Sequence, residues 1–203
     1  MQQPLNILML CSWYPNRVQP TNGNFVEKHV RLVASVHQVT VLQVEYDPAF
    51  ANGQTEWVNS KENGYQMLTI YFGWRLGKWI RLLFRLFLFW KAFLHLRRQG
   101  KAFDLLHVHV AMPGVLLGAL WKKCYHLPFI LSCHATGFLS INPFSYPLIQ
   151  QKLLVWAANK ADQVCPVSNA LKQALQERGL TTPVTVIPNV VNTQLFQPPR
   201  KRP

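Results

Sequence analysis

Short apolar runs alternate with longer amphipathic stretches along most of the chain. Each run has the length and the aliphatic content of a buried strand. Seven such runs are predicted as strands: NILMLC (6–11), QVTVLQV (38–44), QMLTIYF (66–72), DLLHVHV (104–110), LPFILSC (127–133), ADQVCPV (161–167) and PVTVIP (183–188). Helices are predicted at 24–36, 112–125, 146–158 and 168–178, and the polar segment with Asn52, Gly53, Asn63 and Gly64 is predicted as a loop. This alternation predicts an α/β fold of Rossmann-like type, a doubly wound parallel sheet with helices on both faces.

The first helix begins in the stretch TNGNFVEKH (21–29). Asn24 is predicted to cap it by accepting from a backbone N–H one turn on, and Glu27 is placed to reach back to the N–H of the cap residue. A helix N-terminus after a flexible loop with Gly23 also suits an anion, because its N–H groups are unsatisfied and its dipole end is positive. Ordinary helix initiation and an anion site both remain open here.

Length and composition predict one folded unit. With 203 residues, of which 49% are hydrophobic, the chain can bury a full core, and we expect a domain over residues 1–190. Residues 191–203, rich in proline and bases, are expected to begin a linker whose next domain is absent. The four cysteines are scattered, which favours neither a zinc site nor disulfides and suits a reducing compartment. The N-terminus lacks the basic segment of a signal peptide, so a cytoplasmic location is expected.

The chain carries a formal net charge of +13, from 21 Lys and Arg against 8 Asp and Glu. Such an excess points to anionic partners, which include nucleic acid, anionic lipid and phosphorylated substrates. No DNA- or RNA-binding motif accompanies the charge, so nucleic acid is not expected as a partner.

A basic and aromatic segment at 73–101 concentrates this charge, because no acid occurs between Asn63 and Phe103. On a helix, its apolar and basic residues fall on opposite faces. One interpretation is a core-facing helix with a solvated basic back, and the other is a helix that lies on an anionic membrane surface. A bilayer span is disfavoured because bases interrupt any window of about 20 residues. The apolar face consists of Trp79, Leu83, Leu86, Phe87, Trp90 and Leu94, and the basic face of Lys78, Arg81 and Arg85.

Polar residues recur where the predicted strands end. In a parallel sheet, ligands bind outside the carboxyl ends of the strands near the point where strand order reverses, and Gly23 and Asn24 face the same crevice. For a single residue a structural role is the simpler explanation, since Ser168 suits a helix cap and His107 a hydrogen-bonded core histidine. Their convergence nevertheless predicts a ligand site. The residues at the strand ends are Ser12, Trp13, His107, His109, His134, Thr136, Gly137, Ser168, Asn169 and Asn189.

No nucleophile constellation accompanies this edge. The sequence has no G-x-S-x-G, no Walker loop, no G-x-G-x-x-G after the first strand and no carboxylate pair with acid and base spacing. With 8 acids in the whole chain, a carboxylate-based hydrolase is not expected.

Five segments resemble, in order, those of a known family. The chain resembles the N-terminal half of retaining glycosyltransferases of the GT-B type, which have two facing Rossmann-like domains, in the family-four group. Val190 and Asn192 stand where that family usually has glycine and aspartate. The segments are CSWYPNRVQPTNGNFVEKHVRLVA (11–34), DLLHVHVAMPGVLLGAL (104–120), PFILSCHATGF (128–138), ADQVCPVSNALKQAL (161–175) and VTVIPNVVNTQLF (184–196).

The resemblance implies the acceptor-side domain of an enzyme that moves a sugar from a nucleotide sugar to a glycan or lipid-linked acceptor. The pathway implied is the synthesis of cell-surface polysaccharide or lipid glycoconjugates. His134 and His109 would be the catalytic residues, with His134 best placed to contact the transferred sugar. The implied residues for binding the nucleotide sugar are Gly23, Asn24, Ser168 and Asn189.

The resemblance also implies what surrounds this domain. The nucleotide sugar would be held by a C-terminal domain beyond Pro203, so the 203-residue chain is expected to fold but to be inactive without it. No metal and no cofactor besides the donor substrate are expected. If the basic helix contacts lipid, the protein would lie peripherally on the inner membrane face. The alternative function is a non-catalytic Rossmann-like module that binds a phosphorylated glycan, a lipid or a membrane surface.

Overall fold

The computed structural model describes residues 3–62, 64–75, 77–110, 112–134, 136–138 and 146–189. The predicted linker at 191–203 lies outside these residues. The strands are β1 (Asn6–Cys11), β2 (Gln38–Tyr46), β3 (Gln54–Glu62), β4 (Tyr65–Gly73), β5 (Leu105–His109), β6 (Phe129–Cys133) and β7 (Gln163–Pro166). The helices are α1 (Asn24–Ala34), α2 (Lys78–Arg98), α3 (Gly114–Tyr125), α4 (Leu148–Ala158) and α5 (Asn169–Glu177), with a short 3₁₀ turn at Thr136–Phe138.

The strands form one sheet in the order β3-β4-β2-β1-β5-β6-β7. All neighbours pair in parallel except β3 and β4, which are antiparallel. Side chains along β1 alternate between the two faces, because successive residues of a strand point to opposite sides. Met9 and Cys11 join the core that contains α1, whereas Leu8 and Leu10 join the core that contains α2, α3 and α4. The predicted doubly wound α/β fold is confirmed.

The prediction of a polar loop before the third predicted strand was wrong. Nine residues there form β3, which pairs with β4 from Gln54 opposite Gly73 to Glu62 opposite Tyr65. Most side chains of this edge strand are exposed or half-buried. Backbone pairing with β4 stabilises the strand whatever its side chains are, so the apolar signal on which the prediction depended is weak.

The last predicted strand, at 183–188, forms only a single parallel bridge, between Val184 and Val164. Backbone bonds of 3.0 Å join Val164 N to Pro183 O and Ile187 N to Pro166 O, so the segment runs beside β7. Because a proline has no N–H, Pro183 and Pro188 cannot extend the ladder, and the segment is extended chain rather than a strand.

The cap of helix α1 lies one residue earlier than predicted. Gly23 occupies the cap position with φ of 71°, no side chain caps the helix, and Asn24 is its exposed first residue. Glu27 forms an ion pair with Arg31 at 2.5 Å instead of reaching back to the cap. The predicted Asn24 cap with its Glu27 partner was therefore wrong, because a left-handed glycine starts the helix without a side-chain bond.

In the first half of helix α2 the predicted apolar face is exposed, which contradicts the core-facing interpretation there. Trp79, Leu83 and Phe87 do share a face, as predicted, but they are 70%, 64% and 55% exposed. Arg85, predicted on a solvated back, points inward and donates from Nη2 to the carbonyl oxygen of Ser12 at 2.9 Å. The ring of Phe93 stacks on Trp121 of α3 with centroids 4.1 Å apart, and this packing sets the rotation of the helix. The buried side chains of α2 are Leu88, Phe89, Ala92, Phe93 and Leu96.

Two further features concern the hydropathy of the helices and the state of the cysteines. In the part of the chain that the structure describes, no helix combines the length and the hydropathy that crossing a bilayer requires. No disulfide joins any two of the four cysteines, all of which lie in the described residues.

Candidate active site

The sheet reverses its strand order at β1, which has β2 on one side and β5 on the other. In open α/β sheets the crevice outside the carboxyl ends of such strands is the place where ligands bind. Here the loop that follows Cys11 and the end of β5 at His109 flank the crevice, and Ser12 N donates to His109 O at 3.4 Å. Val110, directly after His109, has φ of 66°, a left-handed conformation that is strained for a β-branched residue. Such strain concentrates at functional sites.

The loop between β1 and α1 is held in place by Arg17. Its guanidinium forms ion pairs with Asp47 at 3.1 Å and Glu56 at 2.6 Å, and it lies 3.9 Å from the ring centre of Tyr71. These contacts tie the loop to the ends of β2, β3 and β4. These contacts therefore fix the position of the loop that leads into α1.

Gly23 brings the start of α1 against the loop backbone. A Cβ at this position would lie 2.5 Å from the carbonyl carbon of Trp13 and 2.7 Å from the nitrogen of Tyr14. Together with its positive φ, this contact leaves room only for glycine. The first turn of α1 follows this contact directly, and Asn24 is exposed there.

Four histidines meet at this edge, and we call them the histidine cluster: His29, His107, His109 and His134. The rings of His29, His109 and His134 form a near-equilateral triangle, with centroids 5.8 or 5.9 Å apart. His107 lies beside His109 with centroids 4.0 Å apart. None of the four is more than 8% exposed. The sequence prediction that His109 and His134 lie at one edge is confirmed.

Only His107 has a clear structural partner. Its Nε2 lies 2.8 Å from Oγ of Ser132, as expected of a satisfied core histidine. Both ring nitrogens of His109 and His134, and Nε2 of His29, are buried with no hydrogen-bond partner among the described residues. Buried polar groups in proteins are usually paired, so these nitrogens are available to a ligand.

Burial lowers the pKa of all four imidazoles, because a protonated ring loses its hydration. The pKa falls to about 3 for His107 and to about 4 for His134, and that of His109 lies well below 6.5. Repulsion between the protonated rings acts in the same direction. The side chain of Asn189 opposes the pKa shift of His29 and His134 without making a normal hydrogen bond to His134. At neutral pH the cluster is therefore uncharged.

Aromatic and polar groups complete the edge. Phe25 lies 4.7 Å from the ring centre of His134, and Trp13, 40% exposed, stands edge-on to Phe25 at 6.4 Å. Ser168 caps α5, since its Oγ accepts from Leu171 N at 3.2 Å, which is the structural role anticipated for it. Of the predicted binding residues, Asn189 acts on His29 and His134, and Gly23 starts the helix that carries His29. The described contacts of Ser168 are those of a helix cap.

The sequence reasoning did not select His29, although a signal was present. His29 lies between Val26 and Val30, which are both buried, so it occupies the core face of α1. A histidine at an apolar position of the first two turns of this helix must lie near the strand ends. Helical periodicity could therefore have identified His29, and Phe25 one turn before it.

The cluster can exchange hydrogen bonds with neutral hydroxyl groups. An uncharged imidazole has one N–H donor and one acceptor nitrogen, a pairing that suits a sugar hydroxyl. Among the described residues, no three histidine, cysteine or acidic side chains are arranged to hold a metal ion. The first turn of α1 adds N–H donors and a positive dipole end, which suit a diphosphate.

A separate cavity of about 500 Å³ lies at the opposite edge of the sheet. Its lining includes Asn6 and Gln66 near the amino ends of β1 and β4, together with Lys61 and Lys101. We place the site at the histidine cluster and not in this cavity, because the carboxyl edge holds the strand-order reversal and the unpartnered imidazoles.

Comparison with known proteins gives a family for this arrangement. Residues 26–195 match the sequence model of Glycosyltransferase Family 4, which is most of the chain. The chain belongs to this family. A comparison with curated protein sequences gives no match.

Solved structures of low sequence identity share the fold of this family 4 chain. The catalytic domain of starch synthase IV from Arabidopsis thaliana, bound to ADP and acarbose, has a TM-score of 0.61 at 14% identity, over 95% of this chain and 53% of that one. An E. coli structure described as trehalose-6-phosphate bound with UDP-2-fluoro glucose has a TM-score of 0.56 at 11% identity, over 94% and 50%. A UDP-forming α,α-trehalose-phosphate synthase from Burkholderia vietnamiensis has a TM-score of 0.54 at 13% identity, over 92% and 48%.

The family 4 chain spans about half the length of these structures. It has the fold of the N-terminal domain of a GT-B glycosyltransferase, as the sequence resemblance predicted.

Proposed function

We propose that this chain is the acceptor-side domain of a retaining glycosyltransferase. The enzyme would move a sugar from a nucleotide sugar to a glycan or lipid-linked acceptor, in the synthesis of cell-surface polysaccharide or lipid glycoconjugates. The observation that carries the proposal is the meeting of three imidazoles that have buried ring nitrogens without a hydrogen-bond partner among the described residues, those of His29, His109 and His134, with the glycine-started helix α1 at the strand-order reversal.

In this proposal the chain positions reactants rather than attacking the sugar. The histidine cluster contains no carboxylate, so no side chain in it is suited to form a covalent sugar ester. A neutral His134 would hold a hydroxyl of the transferred sugar, while the N-terminus of α1 would stabilise the departing diphosphate. Orientation of an acceptor hydroxyl and stabilisation of developing charge account for large rate accelerations without a protein nucleophile.

The nucleotide would be bound by a second domain that faces the crevice. This proposal draws support from the solved structures, which are about twice as long as this chain and include complexes with ADP and with UDP-2-fluoro glucose. We accordingly expect the reaction to need both halves and no metal ion. The proposed location is the cytoplasm.

The test compares the 203-residue chain with a form in which a family 4 donor-side domain is joined after Pro203. Each is incubated with UDP-glucose, ADP-glucose or GDP-mannose and with lipid and oligosaccharide acceptors, and the released nucleoside diphosphate and the product are measured. We expect transfer only by the joined form, with EDTA without effect and the anomeric configuration of the donor retained. Turnover by the 203-residue chain would disprove the half-enzyme proposal. Absence of transfer by the joined form with all donors would favour the non-catalytic binding module.

A further inference from the structure

The helical layer of α2, α3 and α4 leaves large apolar side chains in solvent, four on α2, four on α4 and Leu120 on α3. Each of these side chains is at least 43% exposed, and monomeric proteins rarely leave so many together without a partner. We call those on α2 and α4 the apolar surface. On α2 they are Trp79, Ile80, Leu83 and Phe87, and on α4 they are Leu148, Ile149, Leu153 and Trp156.

The apolar surface lies at the end of the molecule that carries the histidine cluster. Each helix runs back from the carboxyl end of a strand, so its first turns lie at that edge of the sheet. On α2 the exposed apolar residues all fall in the first half, and Arg85, between Leu83 and Phe87, reaches Ser12 at the crevice. On α4 they begin at the first residue, Leu148.

The helices of this layer carry bases and no acids. Helices α2, α3 and α4 contain no aspartate or glutamate. Lys91 lies one turn after Phe87 and Lys152 lies within the apolar stripe of α4, and both are exposed. A partner must therefore be apolar and anionic together, which describes the headgroup region of a bilayer with acidic lipids.

A second copy of this chain offers little to match these bases. Most of its acids are already engaged: Glu27 with Arg31, Asp47 and Glu56 with Arg17, and Asp162 with Lys122. Glu45 is buried, and Asp104 accepts from the backbone N–H of Asn6 at 2.7 Å. Charge complementarity thus favours lipid over self-association.

We propose that the apolar surface docks on an anionic lipid bilayer, with Trp79, Leu83, Phe87 and Trp156 among the lipids and Lys91 and Lys152 at the headgroups. The lipid contact is the apolar face of α2 together with α4, and not the basic face of α2. Docking in this orientation holds the crevice edge near the membrane. Its use for a lipid-linked acceptor rests on the proposed function, whereas docking does not.

The experiment is co-sedimentation of the 203-residue chain with vesicles of phosphatidylcholine, with or without phosphatidylglycerol. We expect binding to the anionic vesicles that weakens as salt rises, because salt screens exposed charges. A variant with Leu83→Gln, Phe87→Gln and Trp156→Gln should bind at least tenfold more weakly. The matched control is Leu32→Gln with Val36→Gln, since these residues are 58% and 66% exposed on the opposite face of the sheet, and it should bind like the parent.

A second pair of variants separates the two faces of α2. Lys91→Gln with Lys152→Gln should weaken binding several-fold, whereas Arg81→Gln should change it less than twofold. Circular dichroism confirms that each variant is folded, and sedimentation equilibrium without vesicles measures self-association.

Three results would overturn docking: no binding to anionic vesicles at low salt, binding that the apolar variant leaves unchanged, or a dimer that the apolar variant abolishes in place of vesicle binding. The assay contains no nucleotide sugar, so its failure leaves the proposed transfer untouched. Conversely, a failure of transfer leaves vesicle binding to be judged by itself.

Discussion

Helices α1 and α2 begin at the same edge of the sheet, yet they depart from the usual amphipathic arrangement in opposite ways. Helix α1 buries a polar side chain, His29, between two valines. Helix α2 exposes Trp79 and Phe87 while its Arg85 turns inward. The buried histidine of α1 belongs to the candidate site, whereas the exposed side chains of α2 belong to the apolar surface. The first underlies the proposed ligand site, and the second underlies the proposed membrane contact.

The largest expected effect is a loss of folding stability in acid, caused by the buried histidines behind α1. In the folded state the pKa of His134 is about 4, whereas an unfolded histidine has a pKa near 6.5. Between these values only the unfolded chain binds the proton, so stability falls as the pH drops from about 6.5 to 4. His134 by itself should account for about 3 kcal/mol, because one pKa unit corresponds to about 1.4 kcal/mol.

Urea unfolding at several pH values between 7 and 4 measures this loss. His134→Ala should flatten the dependence, while Leu83→Gln on the outer face of α2 should leave its slope unchanged. A midpoint that stays constant over this range would show that the cluster is hydrated or protonated in the folded state.

The second prediction concerns the contribution of His134 to turnover. In the form joined to a donor domain, His134→Ala should lower turnover by about 100-fold with little change in melting temperature, as removal of one transition-state hydrogen bond does elsewhere. His126→Asn is the control, because His126 is exposed and its left-handed φ of 53° is tolerated by asparagine. Equal turnover of parent and His134→Ala, with both folded, would reduce His134 to a structural residue.

A third effect concerns how α1 is anchored. Gly23→Ala should destabilise the fold by roughly 2–4 kcal/mol, because the new Cβ meets the backbone of Trp13 in addition to the left-handed penalty of about 1–2 kcal/mol. Gly179→Ala isolates the penalty, since Gly179 has φ of 91° and open space around it. Equal losses in urea unfolding would mean that the loop yields to the added methyl group.

The smallest effect tests the inward turn of α2. Arg85→Met should cost about 1.5 kcal/mol, because it leaves the carbonyl of Ser12 without its donor and Glu45 without a nearby cation. Lys91→Met, at an exposed position of the same helix, should stay within about 0.5 kcal/mol of the parent. Burial lowers the pKa of Arg85, so a more stable Arg85→Met variant would show that desolvation outweighs the bond.

Much of the fold and part of the site could be predicted from local patterns. Six of the seven predicted strands and all of the predicted helices are present. His109 and His134 could be placed because each lies at or next to the end of a recognisable strand. The strand β3 was missed because it is polar on both faces. His29 was missed because the site was predicted from polar residues at strand ends, and His29 lies on a helix.

The sequence by itself determined the order and type of nearly all these elements, since helical and strand periods depend on residues close together in the chain. Only the tertiary structure decided which face of α2 is buried and which imidazoles share one crevice. Those outcomes depend on contacts between distant residues, such as Phe93 with Trp121 and His29 with His134. A helix with apolar residues on both faces can bury either one, and the packing of α2 against α3 selects between them.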